Sequence, residues 1–146
     1  MSVKILIIDD QVSVRKRAKR ILQAMILGGT APEVFEAENG IEAIEQVQAH
    51  HPDIILIDVN LPGMDSVTTI ERIQALNGYR IALMTTTAQV GEASGLADVY
   101  IKKGTGQTFR ISVENAIAIL VTGSSNSSSE FLNHINPLTI PIFNNR

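Results

Sequence analysis

Five short runs rich in apolar residues recur along the chain, and most of the segments between them place apolar residues at helical spacing. The runs read VKILII, EVFEA, DIILID, RIALMT and DVYIK. In the third run, residues 54–57 are consecutively apolar, which is typical of a parallel strand that is covered on both faces. Strands that alternate with helices predict an open α/β sheet.

The segment after the first run predicts an amphipathic helix. Apolar residues fall at offsets 0, 4, 7, 8, 11 and 12 from Val14, and we expect this helix to end at Gly28 and Gly29. We expect the opposite, basic face to be solvated, because the chain as a whole is acidic. The apolar stripe comprises Val14, Ala18, Ile21, Leu22, Met25 and Ile26, and the basic face comprises Arg15, Lys16, Arg17, Lys19 and Arg20.

A second helical segment, GIEAIEQVQAHH, stops before Pro52. Its spacing predicts that Ile41, Ile44 and Val47 point inward. Between the fourth and fifth runs, AQVGEASGLA contains two glycines and little periodicity, so we expect only a short helix there.

The end of the chain changes in composition at Gly123. Five of the seven residues from that point are serines, which is typical of a flexible linker. We therefore predict a domain over residues 1–122, followed by a serine-rich linker and tail of unknown role over residues 123–146.

Composition narrows the possible function classes. The 146 residues carry a net charge of -3, so a general affinity for nucleic acid is not expected. The absence of cysteine excludes disulfides, cysteine-ligated zinc and thiol nucleophiles, and makes the cytoplasm the default location. The amino terminus has a single lysine before its short apolar run, unlike a signal peptide, and no run is long enough for membrane insertion.

Acidic residues follow two of the predicted strands. Asp9 and Asp10 come after the first run, and Asp58 ends the third. If these strands are neighbours, the carboxylates meet at one edge of the sheet, where each pair at about 4 Å repels by about 4 kcal/mol. Either the pKa values rise or a cation is bound, and oxygen ligands suit Mg²⁺. Lys103, after the fifth run, adds a positive charge.

Each of these residues also has an ordinary structural interpretation, because aspartates cap helices and turns and most lysines are solvated. Taken together, these residues favour a functional site over separate structural roles. Every predicted strand end but the second carries a group suited to a phosphate or metal site, including the threonines of LMTTT after the fourth run.

With these motifs in place, the chain resembles the receiver domain of two-component response regulators over residues 3–122. The resemblance lies in IIDDQVSVR, AENGIEAI and, most specifically, LIDVNLPGMD. It implies a doubly wound, five-stranded parallel sheet of the flavodoxin-like type with strand order 2-1-3-4-5. The family's fourth helix region would be shortened here.

The resemblance also implies roles for individual residues. Asp58 would receive a phosphoryl group, Mg²⁺ would be held by acids and a backbone carbonyl, and a hydroxyl and an aromatic side chain would respond to phosphorylation. The implied metal ligands are Asp9, Asp10, Asp58 and the carbonyl of Asn60. Lys103 would contact the phosphoryl oxygens, and Tyr100 would be the aromatic residue. Thr85 would supply the hydroxyl, with Thr86 as the second choice.

Two positions depart from the family pattern. Gly104 follows Lys103 where the family usually has proline, often in a cis peptide, and glycine leaves that loop more conformational freedom. Ser66 replaces a usual glycine, and serine would be strained if the turn required a positive φ.

The leading hypothesis is a Mg²⁺-dependent phosphoaccepting switch that acts on a downstream protein target. Its donor would be a sensor histidine kinase or a histidine phosphotransfer protein, and its own chemistry would be limited to phosphorylation and dephosphorylation of its aspartate. The alternative is a receiver-like interaction module that works without phosphorylation. A phosphatase is disfavoured, because Asn60 stands where a second acid would act as general acid.

Overall fold

The protein alternates strands with helices, as described by a computed structural model for residues 2–86 and 95–122. No helix in these two segments is long and apolar enough to cross a membrane. The strands are β1 (Lys4–Ile8), β2 (Glu33–Ala37), β3 (Ile54–Asp58), β4 (Arg80–Thr85) and β5 (Val99–Lys102). The helices are α1 (Val12–Gln23), α2 (Gly40–His50), α3 (Ser66–Leu76) and α4 (Gln107–Thr122).

The five strands form one sheet in the order β2-β1-β3-β4-β5, and every neighbouring pair is parallel. This arrangement confirms the predicted doubly wound fold. Most of the segment in which we expected a shortened helix, residues 88–97, lies outside the described residues, which omit residues 87–94 and the tail from 123 to 146. The proposed domain boundary at residue 122 stays a prediction.

The sheet is covered on both faces, which explains its continuous apolar strands. All five residues of β3 are buried. Because successive side chains point to opposite faces, Ile54 and Leu56 pack with α1 and α4, whereas Ile55 and Ile57 pack with α2 and α3. The central strands are therefore fixed from both sides.

Helix α1 is shorter than its apolar pattern predicts. It ends at Gln23, and the backbone N–H of Ala24 bonds to carbonyls of the last turn, which turns the chain away before the two glycines. Leu27 then fills the core and is fully buried, while Ile26 is 65% exposed. The prediction that the helix runs to Gly28 with Ile26 on its buried stripe was therefore wrong.

The buried face of α2 is rotated from the predicted one. Gly40, Ala43 and Val47 are buried, whereas Ile41 is 61% exposed, so its predicted inward position was wrong. The cause is the close approach of Gly40 to α3: a Cβ at Gly40 would lie 3.1 Å from the side chain of Met64 and closer still to Thr69. Only glycine allows this contact, and it turns the following isoleucine outward.

Helix α2 begins at a capping box. The side chain of Asn39 accepts a hydrogen bond from the backbone N–H of Glu42 at 2.9 Å, and the Glu42 carboxylate reaches back to the N–H of Glu38 at 3.3 Å. The first bond satisfies an N–H group of the first turn that has no partner within the helix, and the second holds the residue before the N-cap against that turn.

We expect Asn39→Ala to lower the free energy of unfolding by about 1 kcal/mol, because it removes the acceptor for the Glu42 N–H. Urea unfolding measures the change. Gln48→Ala, on the exposed side of the same helix, is the matched control and should change stability by less than about 0.5 kcal/mol. Equal losses in the two variants would contradict the capping assignment.

Candidate functional site

Three carboxylates meet at the carboxyl edge of the sheet. Asp9 follows β1 and is fully buried, and Asp58 ends β3 and is 6% exposed. Since β1 and β3 are hydrogen-bonded neighbours, their ends bring these side chains together. Asp10 is exposed, yet one carboxylate oxygen from each of the three residues lies within 4.8 Å of the others. The structure therefore brings together the acids that were predicted to converge.

Lys103 completes the cluster from the other side of β4. Its backbone N–H donates to the carbonyl oxygen of Thr85 at 2.8 Å, which extends the pairing of β5 with β4 by one residue. Its Nζ lies 2.5 Å from Asp9 Oδ2 and 3.0 Å from Asp58 Oδ1, and the side chain is 12% exposed. A single ammonium group is thus shared by two buried carboxylates.

Sharing one cation between two acids leaves the cluster short of positive charge. Burial raises the pKa of Asp58 above its usual 3.8, repulsion from Asp9 acts in the same direction, and the contacts with Lys103 and the backbone of Asn60 offset this only in part. For Lys103, burial alone lowers the pKa, but the contacts with Asp9 and Asp58 outweigh it, so the pKa lies above 10.5. The ammonium is held in its charged form.

One buried oxygen in the cluster has a single partner. Asp9 Oδ1 accepts from the backbone N–H of Gln11 at 2.9 Å, whereas the only partner of the buried Oδ2 among the described residues is the Lys103 ammonium. Buried carboxylate oxygens are almost always fully partnered. An incompletely satisfied oxygen among three carboxylates is a donor set that fits a hard divalent cation.

Arg15 supports the acidic loop from α1. Its Nη1 donates to the backbone carbonyl of Asp9 at 2.8 Å, and its Nε bonds to Glu36 at 3.1 Å. The side chain is 14% exposed, so the prediction of a uniformly solvated basic face was wrong at this position. The available sequence signal was Glu36, a charged residue inside strand β2 that needs a partner.

Ser66 supports the end of β3. Its buried hydroxyl donates a hydrogen bond to the backbone carbonyl of Asp58, which a glycine at this position could not do. The expected backbone strain is absent, because the positive φ of this turn falls at Gly63, at 72°, and Ser66 starts α3. The sequence indicated the substitution but carried no signal for this contact.

The remaining candidate residues lie on or directly after strands β3, β4 and β5. Thr85 ends β4 and is buried at 7% exposure, whereas Thr86 is exposed. Tyr100 is half-buried on β5 and packs against the core on the α2 and α3 side of the sheet. Asn60 is exposed, two residues after Asp58. Burial therefore favours Thr85 over Thr86 as the group nearest to the acids, while the roles of all four stay predictions.

Comparison with known sequences supports the same interpretation. The chain is 36% identical over 88 residues to a protein-glutamate methylesterase/protein-glutamine glutaminase of Rhodospirillum rubrum. The aligned region covers 60% of this chain and 23% of that protein. It is 32% identical over 98 residues to the chemotaxis protein CheY of Bacillus subtilis, covering 67% of this chain and 77% of that protein. The chain thus spans about a quarter of the length of the methylesterase it matches.

Solved structures agree. The chemotaxis response regulator CheY4 of Vibrio cholerae superposes with a TM-score of 0.67 at 25% identity, over 82% of this chain and 99% of that one. Residues 5–108 match the response regulator receiver domain family, and this range includes every acid of the cluster and Lys103. The chain therefore belongs to the response regulator receiver domain family of two-component signalling proteins.

Proposed function

We propose that this protein is a phosphoaccepting switch in which Asp58 receives a phosphoryl group in a Mg²⁺-dependent reaction. The single observation that carries the proposal is the position of the Lys103 Nζ, 2.5 Å from Asp9 and 3.0 Å from Asp58. A buried ammonium beside a buried carboxylate is suited to hold phosphoryl oxygens next to the acceptor. The donor would be a sensor histidine kinase or a histidine phosphotransfer protein.

The charges of the cluster support the requirement for magnesium. Three carboxylates and one ammonium leave a net charge of -2, which one divalent cation would neutralise. The proposed ligands are Asp9, Asp10, Asp58 and the backbone carbonyl of Asn60, and Oδ2 of Asp9, which has the Lys103 ammonium as its only described partner, fits this set. Magnesium, when bound, would neutralise charge on the transferring phosphoryl group.

In the proposed transfer, a carboxylate oxygen of Asp58 attacks phosphorus while the phosphorus–nitrogen bond of the donor histidine breaks. The electron pair of that bond leaves with the imidazole, which takes a proton from solvent. Lys103 holds the transferring oxygens, and its raised pKa keeps it charged throughout. The protein acts only on its own aspartate, so it is a switch and not an enzyme with a separate substrate.

The proposed output follows from the change in charge. A carboxylate of charge -1 becomes a phosphoryl group of about -2, so the site gains attraction for nearby donors. Thr85 ends β4, and its own backbone carbonyl accepts the hydrogen bond from the Lys103 N–H. Tyr100 lies on the neighbouring strand, β5. We propose that movement of the Thr85 hydroxyl and of Tyr100 changes the face around β4 and β5 that a downstream protein in the cytoplasm recognises.

Incubation with Mg²⁺ and acetyl phosphate should add one phosphoryl group, detected by intact mass, and Asp58→Ala or a chelator should abolish it. We expect Lys103→Met to slow the reaction by about 10²-fold, because it removes the cation beside the acceptor. Lys102→Met, the exposed neighbour, is the matched control and should react at the wild-type rate. An unchanged mass would support the phosphorylation-independent interaction module, and turnover of a phosphomonoester would indicate a phosphatase.

We expect Thr85→Ala to accept the phosphoryl group at a rate within about threefold of wild type but to lose most of the resulting change in hydrogen-exchange protection over β4 and β5. The hydroxyl acts after transfer in the proposed sequence, so its loss separates the reaction from the response. Thr86→Ala is the matched control and should respond as wild type does. A reversed result would assign the switch to Thr86.

In chelator at neutral pH, Asp58→Asn should unfold at a higher urea concentration than wild type, because burial and Asp9 disfavour the ionised carboxylate. A raised folded-state pKa costs stability above that pKa, so the difference should close as the pH falls through it. Excess Mg²⁺ should reverse the order, since it stabilises only the wild-type cluster. Glu45→Gln, an exposed acid on α2, is the control. A lower midpoint for Asp58→Asn in chelator would contradict the charge analysis.

A further inference from the structure

Arg17 links helix α1 to the loop that carries Lys103. Its Nη2 donates to the backbone carbonyl of Gly104 at 2.9 Å. Its guanidinium carbon lies 4.8 Å from the centroid of the Phe109 ring, and that ring is 1% exposed in the first turn of α4. Arg17 was predicted to lie on a solvated face, but it is half-buried and contacts both ends of the β5–α4 connection.

This connection needs an external restraint. Gly104 and Gly106 both lie within it, and glycine loses more conformational freedom on ordering than any other residue. A Cβ at Gly104 would lie 2.9 Å from Cγ2 of Thr108, so the position favours a residue without a side chain.

We infer that Arg17 is a positioning residue that holds Lys103 at the acidic cluster by fixing the carbonyl of Gly104. The inference rests on the proposed function of the site. Lys103 is then fixed on both sides, by its own N–H bond to Thr85 and by the arginine bond one residue later. Without Arg17, the loop samples more conformations, and the rate falls with the fraction in which the ammonium lies beside Asp58.

The restraint can be measured without phosphorylation. We expect the amide of Lys103 to exchange with solvent about tenfold faster in Arg17→Ala, because the variant loses a charged hydrogen bond that holds the loop. Arg20→Ala is the matched control: it removes the same charge from an exposed position of the same helix that makes no hydrogen bond or ion pair with the described residues. Its exchange should match that of wild type.

Loss of Arg17 should affect the phosphorylation rate but not magnesium binding. Phosphorylation by acetyl phosphate should be about tenfold slower in Arg17→Ala, whereas the dissociation constant for Mg²⁺, measured by titration calorimetry, should not rise. The metal ligands are left in place, and the ammonium that repels the cation is held less closely. A merely structural role for Arg17 would weaken magnesium binding and phosphorylation together.

Stiffening the loop by another route should restore the rate. Gly104→Ala reduces backbone freedom, and Thr108→Ala removes the methyl carbon that a new Cβ would meet at 2.9 Å. The Cβ that alanine keeps at position 108 lies 3.1 Å away and has to shift by a few tenths of an ångström. We expect the triple variant Arg17→Ala, Gly104→Ala, Thr108→Ala to recover most of the lost rate and amide protection. Thr108→Ala in the Arg17→Ala background, without the glycine change, should not.

The inference is wrong if Arg17→Ala exchanges and reacts like Arg20→Ala, or if the triple variant recovers neither property. Loss of magnesium binding in step with the rate would also overturn it, in favour of general destabilisation. If the wild-type protein accepts no phosphoryl group, the proposed function fails, and the exchange of the Lys103 amide alone decides whether Arg17 restrains the loop.

Discussion

The architecture of the site depends on one ammonium group shared between two buried carboxylates. Lys103 contacts both Asp9 and Asp58, and neither acid could be buried so deeply without it. Removing a charge from water costs several kcal/mol unless it is paired. One cation for three carboxylates leaves a residual negative charge, and this imbalance is what makes the cluster suited to a divalent metal and a phosphoryl group.

The parallel sheet makes this pairing possible. Asp9, Asp58 and Lys103 follow three different strands, and parallel strands deliver their carboxyl ends to the same edge. Strand β4 lies between β3 and β5, so the lysine side chain has to cross the end of β4 to reach the acids. Its backbone bond to Thr85 sets the starting point for that crossing. Burial of β3 on both faces keeps the acceptor strand fixed.

A common device stabilises the loops of the site. In each, a side chain from a neighbouring helix donates to the backbone carbonyl of a charged residue of the cluster, or of the residue after it: Arg15 to Asp9, Ser66 to Asp58 and Arg17 to Gly104. Loop carbonyls at a sheet edge have no partner in the ladder, so these bonds satisfy them and restrict movement. The acids and the lysine are thereby held in place by groups that do not join the cluster themselves.

Periodicity along the chain determined the five strands, the parallel α/β class and the acids and lysine at the strand ends, because these features depend on local spacing. Only the tertiary structure decided which side chains reach one another. The outward position of Ile41 follows from the contact of Gly40 with α3, and the bond from Arg17 to Gly104 joins residues 87 positions apart. Such contacts depend on how helices pack over the sheet edge. The spacing of residues along one helix does not indicate which loop will lie beside it.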